Sequence, residues 1–411
     1  MSLILFLEFI LNKDLNSKII SFFLLVYFFI PFLNISTYRG VIEFETILIY
    51  CISNIFILFV LRYFSYLKIP EKKIVYIKNN VNVFVLALIH IFITYILLFY
   101  LYFVYGNIFV NQELRFYISP IIGYLIKSTI YIPLVFIALK KNTSFLYKFV
   151  FLILPLVPAF LIGSRGTVIM IIFGVMIVLL MMQLEKNKII NIINLKYKTL
   201  KFKHFLYGLF SSSLILYSVF YIRRMTSKVY VSSTELIKRY FDVSIPPVFI
   251  FLILPIYLNL RETVGITNQI LTQKLKANSI IPLFFSEIFT VLPGKQISPG
   301  AVLGELIGRS GDAGLTPGII GGIYLDFGYF SLIVPSLIVF FICFFYRQCL
   351  IYDRYKILYA LSLIQFFHLY HRGFLKLEYF ISFFIVLVYI YLSGFFKISN
   401  EDSSRSISIS S

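Results

Sequence analysis

The chain has 411 residues, 60% of them hydrophobic and only 13% charged, with 47 Phe, 31 Tyr and no Trp. An ordinary globular core leaves no place for so much apolar surface, so the sequence reads as a polytopic membrane protein. A net charge of +19 would point to nucleic acid in a soluble chain; here no nucleic-acid partner is expected, and the placement of the cations matters more than their sum.

The first residues, "MSLILFLEFILNKD", hold a short apolar run interrupted by Glu8 and lack a small-residue cleavage site. They predict a short or interfacial helix, not a cleaved signal. Apolar runs follow at 19–36, 44–61, 81–105, 117–138, 145–163, 167–184, 204–222, 317–346, 357–371 and 374–396. In lipid such runs must be helices, because nothing there satisfies an open backbone. The short alternating segments of a membrane β-barrel are absent. The expected fold is all-α, with about 10 or 11 spans.

Residues 1–222 form the N-terminal membrane helices, 223–316 a large external region, 317–396 the C-terminal membrane helices, and 397–411 a polar, disordered cytoplasmic tail. Within the external region, "SIPPVFIFLILPIYLNL" (244–260) carries three prolines. It reads as interfacial or re-entrant, since counting it as a span would invert every later loop. Cys51, Cys343 and Cys349 have no metal-ligand spacing and read as small apolar residues.

The cations divide by type. The loops expected on the cytoplasmic side carry 21 Lys or Arg, 17 of them Lys, whereas 9 of the 14 on the opposite side are Arg. Lysine suits topology and anionic headgroups; arginine offers a planar fork for phosphate. The external arginines are Arg39, Arg115, Arg165, Arg223, Arg224, Arg239, Arg261, Arg309 and Arg372.

"GSRG" (163–166) sets Arg165 at a short external turn, where flanking glycines admit close approach and a new helix begins. A guanidinium beside a helix N-terminus makes an anion site; the alternative is an arginine snorkelling to the interface. In "YIRRM", Arg223 and Arg224 run against the positive-inside bias and either meet a phosphate-bearing ligand or anchor the interface. The stretch 291–334 is dense in Gly and Pro and contains Lys295, Arg309, Asp312, Tyr324 and Asp326. Such a loop can bring amides and charges to a substrate at the membrane surface, or serve only turns and helix packing. Asp326, inside a span, needs a partner or a function. In "FFHLYHRGF", His368, His371 and Arg372 share one helical face. Two histidines without a third ligand make a poor zinc site, and satisfied interfacial histidines are the alternative. Phosphate-binding loops, dinucleotide fingerprints, nucleophile elbows and aspartate-rich magnesium sites do not occur, so neither cofactor nor metal is expected.

These motifs together, "GSRG", "RRM" (223–225), "LPGK" (292–295), "TPGIIGGIYLDFGYFSLIV" (316–334) and "HRG" (371–373), resemble those of the Wzy-type polymerases of bacterial O-antigen or oligosaccharide repeat units. The resemblance implies a metal-independent glycosyltransferase, similar to the C-type glycosyltransferase fold, in the bacterial inner membrane. Its implied substrates are undecaprenyl-diphosphate-linked oligosaccharides, with a chain-length regulator and a flippase as further partners. It implies that Arg165, Arg223, Arg224, Arg309 and Arg372 bind the diphosphate, that Arg165, Asp312 and Asp326 serve catalysis, and that Lys295, Tyr324, His368 and His371 contact substrate. Glu287, Glu305 and Asp242 are further candidates for the general base. An O-antigen ligase and a lipid-linked oligosaccharide flippase or other transporter are the rival readings; the asymmetric external region and the few intramembrane charges (Lys127, Asp326, Lys376) favour an enzyme.

Overall fold

The computed structural model describes residues 1–12, 14–33, 35–67, 81–106, 118–139, 147, 149–162, 165–190, 241, 247–277, 279–291, 298–308, 315–351 and 355–392. Among them the regular elements are all helices, apart from an isolated antiparallel bridge between Ser36 and Phe241. Among the described residues five stretches, Leu15–Phe32, Phe44–Tyr66, Val83–Tyr105, Pro120–Ile137 and Val334–Ile351, are long and apolar enough to cross a membrane. The chain is a helical membrane protein.

In chain order the helices are α1 (Ser2–Leu11), α2 (Leu15–Phe32), α3 (Phe44–Tyr66), α4 (Val81–Tyr105), α5 (Pro120–Ser128), α6 (Ile132–Leu139), α7 (Leu156–Leu161), α8 (Arg165–Ile190) and α9 (Pro247–Thr272), followed by α10 (Leu283–Ser286), α11 (Pro299–Leu306), α12 (Gly318–Phe327), α13 (Val334–Ile351), α14 (Tyr355–Arg372) and α15 (Leu377–Leu392). Local chemistry sets many of their ends. Asp14 caps α2 by accepting from the Ser17 amide at 3.0 Å. Proline opens α5 and α11, where its missing N–H costs nothing. Left-handed glycines close α4 and α14, Gly106 at φ +78° and Gly373 at φ +86°.

Three expected spans are interrupted within the described residues, the first being 117–138, which divides into α5, a 3-10 turn at Thr129–Tyr131 and α6. The run 145–163 becomes a π-helical turn at Phe149–Ile153 and then α7, because Pro155 and Pro158 interrupt the backbone ladder. The run 317–346 divides into α12, a 3-10 turn at Gly328–Leu332 and α13, with Gly328 left-handed at φ +60°. The interfacial reading of 244–260 falls mostly on α9, one helix of 26 residues that continues to Thr272. The expected span 204–222 lies outside the described residues.

The chain forms two compact units. One comprises Met1–Lys68, Asn191–Tyr346 and Ser362–Phe380. In it, Glu8 of α1 is buried and takes both Nε and Nη2 of Arg62 on α3, at 3.0 and 2.8 Å, which accounts for a carboxylate inside an apolar run. Phe23 of α2 stacks on Phe367 with ring centroids 3.9 Å apart, and Tyr27 meets Tyr370 edge-on. Helix α9 packs against α2, α3 and α12.

The other unit comprises Ile69–Ile190, Arg347–Leu361 and Ile381–Ser411. Its apolar packing includes Leu98 and Leu101 of α4 with Ile126 and Ile162, and Phe136 stacked on Phe151. His90 bridges two side chains: Nδ1 lies 3.0 Å from the Tyr389 hydroxyl and Nε2 lies 2.6 Å from Ser128 Oγ, which in turn bonds the Leu125 carbonyl at 2.6 Å. None of the three cysteines forms a disulfide.

Candidate functional site

The polar residues of α9 lie just beyond its apolar first half, at Arg261, Glu262, Thr263, Thr267 and Asn268. Their spacing follows the helical period, so each reaches a different neighbour in the first unit. Most of them bind the connector 33–43 between α2 and α3.

Arg261 is 1% exposed. Its Nε donates to the Tyr38 carbonyl at 3.1 Å, Nη1 to the Pro31 carbonyl at 2.5 Å and Nη2 to the Gly40 carbonyl at 2.6 Å. A buried guanidinium demands such a set of acceptors, and these satisfy chain carbonyls that would otherwise be unpaired. One turn earlier the Tyr257 hydroxyl bonds Leu33 O and Ser36 Oγ, and further along Asn268 accepts from the Glu43 amide and the Thr46 hydroxyl while donating to Val41 O. The connector is thus fastened along α9 at several points.

Glu262 takes a side-on fork from Arg39, with Nε at 2.6 Å and Nη2 on the other oxygen, and also accepts from the Tyr38 hydroxyl. The Arg39 side chain is 6% exposed and that of Glu262 is 20%. Burial works against the charge of Arg39, and the Glu262 hydrogen bonds offset it, so its pKa is raised. Burial, then the Glu262 carboxylate beside it, pushes the Tyr38 hydroxyl well above its ordinary value. Arg39 sits at φ +65° in a turn closed by the Gly40 amide on the Thr37 carbonyl at 3.0 Å. That backbone region costs a non-glycine residue about 1–2 kcal/mol.

On the same helix, Thr263 Oγ1 lies 3.1 Å from His371 Nδ1, and the Thr267 hydroxyl bonds the Pro317 carbonyl. The backbones of α12 and the turn after α14 cross here without space for side chains. A Cβ on Gly322 would collide with the carbonyl of Gly373, and one on Gly373 would strike the carbonyl of Gly318. Gly318, Gly322 and Gly373 permit this close backbone approach.

Of the expected site residues, His371 joins the α9 cluster and Arg372 is exposed beside it at the end of α14. His368 turns to another partner, Tyr379, whose hydroxyl is 2.8 Å from Nδ1, so the two histidines do not converge. Asp326 has its partner in the backbone: Oδ1 and Oδ2 accept from the amides of Leu283 and Phe284 at 2.9 and 2.7 Å, at the start of α10. Tyr324 is buried with its ring edge-on to Tyr329, 5.5 Å between centroids. Glu287 lies 3.6 Å from Lys376, and Glu305 is exposed on α11. Arg165 opens α8, but its side chain lies outside the described residues, as do Arg223, Arg224, Asp242, Lys295, Arg309 and Asp312. Among the described residues no three His, Cys, Asp or Glu side chains gather as a metal site would require.

The sequence reading omitted the Tyr38–Arg39–Glu262 cluster. A signal was present: "RET" and "TN" continue the helical period directly past residue 260, and Arg39 is in the external set. Comparisons with protein-family models, curated proteins and solved structures return no match.

Proposed function

We propose that the chain is a bacterial inner-membrane glycosyltransferase of the C-type class that polymerises undecaprenyl-diphosphate-linked repeat units. What supports this is the convergence on α9. The end of α2, the start of α3, the start of α12 and the end of α14 are all expected on the outer face, and all of them meet α9 between residues 257 and 268. Arginine-bearing segments far apart in sequence are thereby collected on one side, where a lipid diphosphate would lie.

In the proposed reaction an acceptor sugar hydroxyl attacks the anomeric carbon of the donor. The bond to the diphosphate oxygen breaks, the hydroxyl proton passes to a carboxylate, and undecaprenyl diphosphate leaves. Arginines stabilise the charge that grows on the departing diphosphate, and a positioned acid-base group assists the proton. Arg165, Arg223, Arg224, Arg309 and Arg372 are proposed for the first role; Asp312 and Asp326 for the second.

The deciding experiment is deletion of the gene, with analysis of both the surface glycan and the lipid-linked pool. Loss of a polymerase leaves single repeat units on the surface and abolishes the ladder of longer chains. Long chains accumulating on undecaprenyl diphosphate identify a ligase instead, and single units trapped on the cytoplasmic leaflet identify a flippase. Purified protein is expected to lengthen lipid-linked repeat units in EDTA without nucleotide; a strict need for a divalent ion or nucleotide sugar refutes the arginine mechanism.

A further inference from the structure

Arg39 is held more firmly than an interfacial ion pair requires. Glu262 occupies its Nε and Nη2, and the Tyr38 ring lies 5.3 Å from the guanidinium carbon. Its stem packs against α9 where only glycine admits it, since a Cβ on Gly265 would overlap Arg39 Cβ. The guanidinium plane is therefore set by Glu262, Tyr38 and Gly265 together. Its Nη1 is buried and has no hydrogen-bond partner among the described residues. A buried guanidinium edge of this kind calls for an acceptor, and a residue held in a left-handed backbone at such a place is a mark of function.

The acceptor can be named by position. The connector joins two helices apolar enough to span, so it stands at headgroup level, where phosphate oxygens are the abundant acceptors. Val41 and Phe44 beside it are 72% and 75% exposed, as residues facing acyl chains would be. Gly40 next to it is left-handed and, its chain neighbours apart, leaves open space where a side chain would stand, so a headgroup can come up against the turn. We propose that the Nη1 edge of Arg39 binds a phosphate oxygen of a lipid at the α2–α3 connector. The site does not depend on the polymerase reading, because a lipid-linked diphosphate and a phospholipid headgroup present the same oxygen.

The test is binding to the full chain in neutral, phosphate-free detergent, with a short-chain polyprenyl diphosphate as one probe and phosphatidylglycerol as the other. Arg39→Lys keeps a cation for Glu262 and loses the planar edge, so affinity for the lipid concerned is expected to fall about tenfold. A loss confined to the polyprenyl diphosphate assigns the site to substrate, one confined to phosphatidylglycerol assigns it to the bilayer, and either supports it. In the wild-type protein the bound probe is expected to slow hydrogen exchange over residues 33–43, a readout that needs no variant. Equal affinity of Arg39→Lys and wild type for both lipids, or exchange over 33–43 indifferent to both, overturns the proposal, whatever glycan the deletion strain makes.

Discussion

Arg261 donates to the carbonyl of Gly40 at 2.6 Å, across a sequence separation of 221 residues, and so ties the middle of α9 to the connector between α2 and α3. Its other donors go to Pro31 and Tyr38. Arg261→Lys retains the charge but not the fork, leaving buried carbonyls unpaired, and is expected to destabilise the protein by about 2–3 kcal/mol. Thermal unfolding in detergent, with limited proteolysis of the connector, measures it. An unchanged midpoint would show that the three carbonyls find water when the guanidinium goes.

Asp326 offers a separation of structure from catalysis. Its two oxygens hold the amides of Leu283 and Phe284, so Asp326→Ala is expected to cost about 1–2 kcal/mol in the manner of a lost helix cap. Asp326→Asn keeps one acceptor and should cost less. If Asn instead abolishes glycan polymerisation while the protein unfolds at the wild-type temperature, the carboxylate itself takes part in the chemistry.

Two glycines should answer substitution with opposite signs. Gly322→Ala drives a methyl into the Gly373 carbonyl and is expected to destabilise by about 1–3 kcal/mol through overpacking. Gly123 lies inside α5 with nothing within 4 Å of a built Cβ, so Gly123→Ala is expected to stabilise by roughly 0.5–1 kcal/mol through helix propensity. Melting both variants beside the wild type checks the pair; a stable Gly322→Ala would mean that α12 and the turn at Gly373 can part at little cost.

Helix α9 is about 39 Å long at 1.5 Å per residue, enough to cross a bilayer, yet its midpoint holds a connector expected on the outer face. The expectation is that 223–316 faces outward as a whole. In a background with Cys51, Cys343 and Cys349 replaced by alanine, Glu235→Cys, Lys276→Cys and Glu305→Cys should all react with an impermeant maleimide applied from outside. Reaction at 235 with protection at 276 and 305 would establish that α9 crosses.

Much of the helical plan was legible because its signal is local. An uninterrupted apolar run such as 81–105 has one physical outcome in lipid, and α4 occupies Val81–Tyr105. The breaks at Pro155 and Gly328 were harder to place, because proline and glycine are tolerated in membrane helices wherever neighbours satisfy the freed groups. The site was less legible still. His368 and His371 share a helical face in sequence, but which neighbour each one meets depends on Tyr379 and Thr263, residues on other helices. The pairing of Arg39 with Glu262 spans 223 residues, and no periodicity within either segment encodes it. Asp326 inside an apolar run calls for a partner or a function; that two amides of a short helix would bind its oxygens depends on Leu283 and Phe284, 43 and 42 residues away, and is not encoded in the run itself.

The Ser128, His90 and Tyr389 trio in the second unit has a consequence for anyone screening this protein with active-site reagents. A hydroxyl and a carbonyl oxygen 2.6 Å apart need a hydrogen between them, and only Ser128 can supply it to Leu125. His90 must therefore carry its own proton on Nε2 and point it at the serine, while Tyr389 donates to Nδ1. The proton runs opposite to the direction that makes a serine nucleophilic, so a fluorophosphonate should leave Ser128 unlabelled despite its histidine neighbour.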